Sequence, residues 1–374
     1  MTIRISINCF ADWHENGIVR FCDVMSSHLP ACVKSFDINI ISQKSIKGFR
    51  CECGPGGVSA FVPDNFNACL LFGAVASTAL GFLRGARDAI VECNREFMMP
   101  LAEEIRHGIA GSKLIAVMHS NPGMSEKEQL IGHYMPQFAS RPNAAAYRRA
   151  DHIVCVCGAQ MEYLRKAGCE TPATLICNGV PRPRSIARHS NGGPFRFIFT
   201  SGYVAFKGFG KIIAAIRKVA QMRNIQVVVV GGGAGDPKPD TGDLPVVFTG
   251  FIASCKEVAR LCAESDCALF ASVAEACSFA TIEAMSAGLP IISTDVVGQR
   301  EMLEGGCALL VKMNPDLTID ADEYAAAMLR VIDEPMLRMR LSAAAFARYM
   351  ARYTAKKTIR GHLDLYRRLL KHHL

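Results

Sequence analysis

Residues 265–312 read SDCALFASVAEACSFATIEAMSAGLPIISTDVVGQREMLEGGCALLVK, and their pattern decides the fold. Cys267 to Ala271 is a short apolar run of strand length that gives out in a turn carrying Glu275. Ser278 to Ala287 reads as a helix stopped by Gly288, and Pro290 to Thr294 as a second strand. A short helix around Arg300 to Leu303 and a third strand, Ala308 to Val311, close the segment. Strands alternating with helices at this spacing belong to a parallel sheet wrapped by helices.

Two carboxylates flank the opening of the first helix. Glu275 sits where the strand ends, and Glu283 lies about a turn and a half into the helix. Between them Cys277-Ser278-Phe279-Ala280 offers unpaired backbone N–H groups and the positive end of a helix dipole, a natural seat for a phosphate or diphosphate. One acid on each side of a bound anion can accept hydrogen bonds from sugar hydroxyls, one from a hexose and one from a ribose. An isolated E-x7-E is also what two solvated helix-terminal acids present, so the context has to choose.

Outward from this stretch, the chain is 374 residues long, which suits two domains of about 150 to 190 residues each. Half of its residues are hydrophobic and 20% are charged, the balance of a globular chain and not of a disordered one. The 16 cysteines are scattered, among them Cys51-Glu-Cys53 and Cys155-Val-Cys157, with no paired C-x2-C framework. The opening MTIRISINC has no signal-peptide pattern, so free thiols in a reducing cytoplasm are expected. The apolar run Ala68 to Leu83, interrupted by Gly73, Ser77 and Gly81, reads as a buried strand and helix start and not as a membrane span. A net charge of +8 favours anionic partners such as nucleotide diphosphates or acidic headgroups. Nucleic acid is not expected, because no motif for it is present.

The N-terminal half alternates strand and helix, with strands expected at Arg4 to Cys9, Asp37 to Ile41, Ala68 to Phe72, Lys113 to Met118, His152 to Val156 and Ala173 to Cys177. Ligands of such sheets bind at the carboxyl ends of the strands. Two loops there carry candidates: Gly17 at the mouth of the helix after the first strand, and His119 directly after KLIAVM. Read alone, Gly17 is better explained by a turn and His119 by a structural role.

The segment 181–194, PRPRSIARHSNGGP, is rich in Pro, Gly and Arg and has no periodicity, which makes it an interdomain linker. After it, Lys207-Gly208 precede an amphipathic helix. The run Val227 to Asp236 fails the G-x-G-x-x-G test, since Asp236 stands at the third glycine position. Helices follow at about Lys256 to Ala263, Asp320 to Asp333 and Pro335 to Tyr349. The basic tail, Lys356 to Leu374, is a further helix with Ile359, Leu363, Tyr366 and Leu370 on one stripe.

The segment EACSFATIEAMSAGLPIISTDVVGQREML closely resembles the signature of retaining GT-B glycosyltransferases of family 4 type, the glycosyl transferases group 1. The passage ADHIVCVC, the helix Gly158 to Lys166 and LICNGV also resemble the end of that family's first domain, with Cys157 and Pro181 in place of the usual Ser and Asp. The resemblance is strong over about residues 145–312. It implies two Rossmann-like doubly wound domains facing each other across a cleft: an acceptor-side domain at 1–180, with the helix 356–374 packing back on it, and a nucleotide-sugar-binding domain at 195–355.

The resemblance further implies transfer of a hexose-type sugar from a UDP- or GDP-linked donor to an acceptor hydroxyl, with retention and without a metal or other cofactor. In that reading the leaving phosphate serves as base, Glu275 holds the hexose, Glu283 the ribose, and His119 the sugar near the acceptor. Gly17, Lys207, Gly231, Phe251, Ser278, Phe279 and Ala280 would line the nucleotide-sugar, with Lys207 neutralising its diphosphate. The family's arginine five residues before that lysine is replaced by Gly202, so half of the usual charge is missing, for which Arg20 or Arg300 would have to compensate. The expected setting is cytoplasmic, at the inner face of a membrane if the basic tail makes peripheral contact, with a glycan or lipid-linked acceptor. The rival expectations are a catalytically silent partner protein on this fold and a sugar-nucleotide epimerase or hydrolase.

Overall fold

A computed structural model describes residues 2–10, 17–31, 33–42, 50–54, 56–62, 68–94, 98–119, 144–183, 192–232 and 237–371. These fall into two compact units. The first holds the N-terminal residues through Cys177 together with the tail from Lys356, and the second runs from Asn178 to Ala355. The chain therefore leaves the first unit at 177/178 and re-enters it at 355/356, slightly earlier than the boundary at 180 expected from sequence. Val180 already belongs to the second unit, where its N–H donates to Tyr353 O (3.0 Å) and its carbonyl accepts from Ala355 N (2.9 Å). Residues 184–191 of the expected linker lie outside the described residues.

In the first unit the strands are β1 (Thr2–Phe10), β2 (Val33–Ser42), β3 (Arg50–Gly54), β4 (Gly57–Val62), β5 (Ile90–Cys93), β6 (Lys113–Met118), β7 (His152–Cys155) and β8 (Ala173–Leu175). They form one sheet in the order β3-β4-β2-β1-β5-β6-β7-β8, parallel except for the antiparallel pair β3 and β4. Around it are helices α1 (Gly17–His28), α2 (Ala68–Phe82), α3 (Met99–His107), α4 (Ala144–Tyr147) and α5 (Gly158–Lys166).

The expected strand at Ala68 to Phe72 is corrected: those residues open the 15-residue helix α2. The reason is legible in the burial, since Phe72, Val75, Ala76, Ala79 and Leu83 recur at three- and four-residue spacing and enter the core. A run of Ala and Leu with no period of two has no strand face to bury. The strands that take the vacated places are β4 and the short β5, whose four residues are all buried.

β1 lies in the middle of the sheet, yet it alternates. Ile5 and Ile7 enter the apolar core, while Arg4, Ser6 and Asn8 lie on the opposite face, equally buried. Central strands of wrapped parallel sheets are normally apolar on both faces, so this buried polar face calls for partners. They come from β2 and β5 of the sheet, from α1, and from the tail helix α12 (Ala355–Leu370). Arg4 Nε donates to Glu92 Oε2 (2.6 Å), and Glu92 Oε1 meets His362 Nδ1 (3.0 Å) and Tyr366 OH (2.5 Å). Of the tail stripe, Ile359, Tyr366 and Leu370 are buried in this unit and Leu363 is half-buried.

The second unit has six parallel strands: β9 (Phe195–Phe199), β10 (Ile225–Val230), β11 (Val246–Gly250), β12 (Cys267–Phe270), β13 (Ile291–Thr294) and β14 (Ala308–Val311). Its helices are α6 (Ile213–Met222), α7 (Cys255–Ala263), α8 (Phe279–Ser286), α9 (Val297–Met302), α10 (Ala321–Asp333) and α11 (Pro335–Arg352). The strand order is β11-β10-β9-β12-β13-β14. From β9 the chain winds to one edge through β10 and β11, then returns to β12 and winds to the other. The order reverses between β9 and β12, and in open parallel sheets the crevice beyond the carboxyl ends of two such strands is the ligand site.

Candidate functional site

The two loops at that reversal are 200–208, after β9, and 271–278, after β12. They are fastened to each other. Val273 N–H donates to Phe206 O (3.0 Å), and Gly208, at φ +77°, lies so close to Ala271 O that a Cβ would collide with it. The loops bring Lys207 and Glu275, 68 positions apart, into an ion pair of 2.6 Å. Ser272 Oγ donates to the same Glu275 oxygen at 2.8 Å, and Ser272 is itself fixed by Thr294 Oγ1, which donates to its carbonyl (2.7 Å). Glu275 is 7% exposed, so its carboxylate is held by charge and hydrogen bonds. It is not a solvated surface acid.

The helix following Glu275 begins as the sequence implies. Ser278 is the N-cap of α8, its hydroxyl accepting from Thr281 N (3.3 Å), and Phe279 and Ala280 form the first turn, half-buried. The turn before it is braced from outside. Asn178 Nδ2 donates to Cys277 O (2.8 Å), and Ser278 N–H points to Met302 Sδ (3.2 Å). Gly298, in the first turn of α9, packs so tightly on Glu275 O and Ala276 O that any side chain there would push the turn away. Thr281 and Gln299 exchange hydrogen bonds between α8 and α9 (3.2 and 2.9 Å). Glu283 lies in the second turn of α8, half-buried. Burial, and after it the nearby Glu283 charge, push the Cys262 thiol well up, which puts Glu283 beside α7.

Gly231 directly follows β10 at φ +105°, donating its N–H to Gly250 O (2.9 Å) and packing closely on Gly202. Phe251 follows β11 and is 44% exposed. Gly202 has φ +68°, and a Cβ there would strike Gly232 O. The loop therefore leaves no room for an arginine at 202, and the missing cation reflects a differently built loop and not a simple replacement. Arg300 is already engaged with Asp295 Oδ1 (2.7 Å). Thr200 Oγ1 and Ser201 Oγ, at the end of β9, are buried without a partner among the described residues, as is Asn178 Oδ1. Sequence reading took Asn178 as a turn residue and gave no role at the site to Ser272, Gly298 or these hydroxyls. Their side chains are unremarkable in type, and only the close approach of distant segments gives them a role.

In the first unit, His119 follows β6 directly. Its Nε2 lies 3.0 Å from Asn94 Oδ1, and its ring stands edge-on to Phe21 with centroids 4.9 Å apart. Gly17 is the first residue of α1, and the loop 11–16 before it lies outside the described residues.

An α/β protein with two Rossmann-like units and a Lys–Glu pair beside a helix N-terminus at the switch point of the second belongs to a recognisable class. Residues 194–334 match the family model described as glycosyl transferases group 1, and the chain has the GT-B fold of the solved structures it superposes on. Over 148 residues the chain is 28% identical to the MMP alpha-(1->4)-mannosyltransferase of Mycolicibacterium hassiacum, a match covering 38% of this chain and 35%, about a third, of that protein. Among solved structures, the sucrose-phosphate synthase of Thermosynechococcus elongatus superposes with a TM-score of 0.74 at 17% identity, covering 99% of this chain and 100% of the other. The Anabaena protein HepE, solved with UDP and glucose, gives 0.70 at 14% identity, with 98% and 99% covered.

Proposed function

We propose that this protein is a retaining glycosyltransferase that moves a hexose-type sugar from a nucleotide-diphosphate donor to an acceptor hydroxyl. The observation that carries the reading is the Lys207–Glu275 pair, held in the β9/β12 switch crevice beside the N-terminus of α8. The ammonium has three N–H donors, so it can serve the donor diphosphate while still bonded to Glu275. The open N–H groups at the start of α8 take the remaining phosphate oxygens. Glu275 then accepts from hexose hydroxyls and Glu283 from the ribose, with His119 near the acceptor. Gly17, Gly231 and Phe251 line the nucleotide-sugar.

In the step itself the bond from C1 to the leaving phosphate oxygen breaks, the acceptor oxygen bonds to C1 from the same face, and its proton passes to the departing phosphate. Lys207 and the amide dipoles stabilise the negative charge that develops there. Relatives support the donor class: one neighbour was solved with UDP and glucose, and a partial match is a mannosyltransferase. The setting would be glycan or glycolipid synthesis in the cytoplasm.

A second reading, a silent GT-B-like partner protein, is favoured by the glycine-only geometry at 202. The two separate in a thermal-shift panel of UDP, GDP, ADP, CMP and their sugar conjugates on the wild type and Glu283→Ala. Under the enzyme reading one base series stabilises the wild type by about 2.7 kcal/mol at a hundred times its Kd. For a domain of 150 to 250 residues that corresponds to roughly 5–11 °C. The effect falls in the variant, and donor turnover follows when acceptor is added. Absence of any shift would leave the silent partner as the better account.

A further inference from the structure

We propose that Cys51 and Cys53 form a reversible dithiol site: a small disulfide of the glutathione type converts the pair into an intramolecular bridge, and the corresponding thiol opens it again. The proposal goes beyond the glycosyltransferase reading and does not depend on it.

Residues two apart on a strand share a face. Cys51 and Cys53 stand on β3 opposite Ala60 and Val58 of β4, and both of those belong to the core of the first unit. The face therefore looks toward apolar packing, but β3 is the outermost strand of its sheet, where the packing ends. Cys51 lies against the core and is half-buried, while Cys53 is exposed. Their sulfurs are in contact at 3.4 Å.

Contact is not yet a bond. A disulfide needs its sulfurs about 2.05 Å apart and its β-carbons about 3.8 Å apart. Two steps along a strand cover about 6.7 Å, near the upper limit of the α-carbon separations that a disulfide spans. Closing the bond must therefore shorten β3 locally, and the strain makes the bridge easy to reduce, unlike a structural one. The edge position makes it tolerable, because β3 pairs with β4 alone among the described strands and a single ladder is disturbed.

Exposure assigns the order of events. The Cys53 thiolate attacks one sulfur of glutathione disulfide, whose S–S bond breaks. One glutathione leaves and takes up the proton that Cys53 gave up. Cys51, deprotonated in its turn, attacks the Cys53 sulfur of the mixed disulfide, and the second glutathione leaves with that proton. Two protein thiols and one glutathione disulfide thus become one protein disulfide and two reduced glutathiones, the oxidant taking both electrons. Burial, and after it the neighbouring Cys53 thiol, push the Cys51 thiol up, which suits the resolving role and not the entering one.

The test equilibrates the full chain with glutathione buffers from fully reduced to fully oxidised, quenches with acid, alkylates and cleaves with chymotrypsin. Cuts after Phe49 and Phe61 leave Cys51 and Cys53 as the only cysteines of one peptide. That peptide should become two hydrogens lighter and resistant to alkylation as the oxidised share rises, and revert in excess reduced glutathione. In Cys51→Ser it should instead carry glutathione on Cys53. Amide hydrogen exchange along β3 should quicken in the bridged form while that of the central strand β1 stays the same. Glutathione retained on Cys53 in the wild type would overturn the proposal. So would alkylation of both thiols at every ratio, or a bridge that survives excess reduced glutathione. No nucleotide or acceptor enters these measurements, so their failure and that of the glycosyltransferase reading are separate results.

Discussion

Gly298 shows how a single hydrogen atom can be a site requirement. Its α-carbon rests against the carbonyls of Glu275 and Ala276, and nothing larger fits unless the turn moves. Gly298→Ala should therefore cost about 1–3 kcal/mol, as overpacking does in tight interiors. It should also weaken the thermal shift given by the preferred nucleotide more than a surface substitution of equal stability cost, which denaturant melts with and without ligand would reveal. Lys207 makes the complementary case. Its removal in Lys207→Met strands a largely buried carboxylate at a cost of about 1–3 kcal/mol. Adding Glu275→Gln should recover part of that cost, because the two sites share one interaction. Two singles that simply add in urea melts would contradict the coupling.

At the level of elements, the tail helix α12 owes its seat to charge as much as to apolar packing. Burial alone would push the Glu92 carboxyl up; the Arg4 guanidinium, His362 and Tyr366 outweigh it and hold Glu92 well below the usual carboxylate range. A carboxyl depressed in the folded state contributes stability above its unfolded pKa of about 4.3, and that contribution is lost as the pH falls below it. Glu92→Gln, which leaves the buried Arg4 with only the longer ion pair to Asp37 (3.8 Å), should cost about 3 kcal/mol near neutrality. The gap to wild type should narrow between pH 5 and pH 3, as urea melts across that range would test.

This lock was only half legible in the sequence. The alternation of β1 is plain to read, but the partners His362 and Tyr366 lie some 270 positions from Glu92, and no local pattern joins them. The second unit was far easier, because its strands are short apolar runs and its helices keep their periods. The strand expected at Ala68 to Phe72 failed for the opposite reason. An unbroken apolar run carries no period until its neighbours declare which face is buried.

Over the whole molecule the charge is distributed with a purpose that composition alone hides. The last 40 residues hold ten Lys and Arg against the single Asp364, so the remaining 334 sum to about neutral, at −1. The apolar stripe of α12 is used up inside the first unit, which removes it as a membrane-inserting face. α11 is different. It contains no Asp or Glu, and Met336 (77% exposed), Met339 (59%) and Met350 (39%) share an outward side with Ala343, Ala347 and Arg340. Apolar side chains flanked by cations suit the headgroup region of an anionic bilayer, each cation near the surface adding about 1 kcal/mol of attraction. If the acceptor is carried by a lipid, this face would hold the protein where its acceptor lies. The expected outcome is co-sedimentation with phosphatidylglycerol-containing vesicles at low salt. Binding should weaken as ionic strength rises, be absent with phosphatidylcholine alone, and fall in Met336→Glu/Met339→Glu while the melting temperature is preserved. Equal binding of both vesicle types, or a change in oligomeric state in the variant without a change in vesicle binding, would assign the face to another partner.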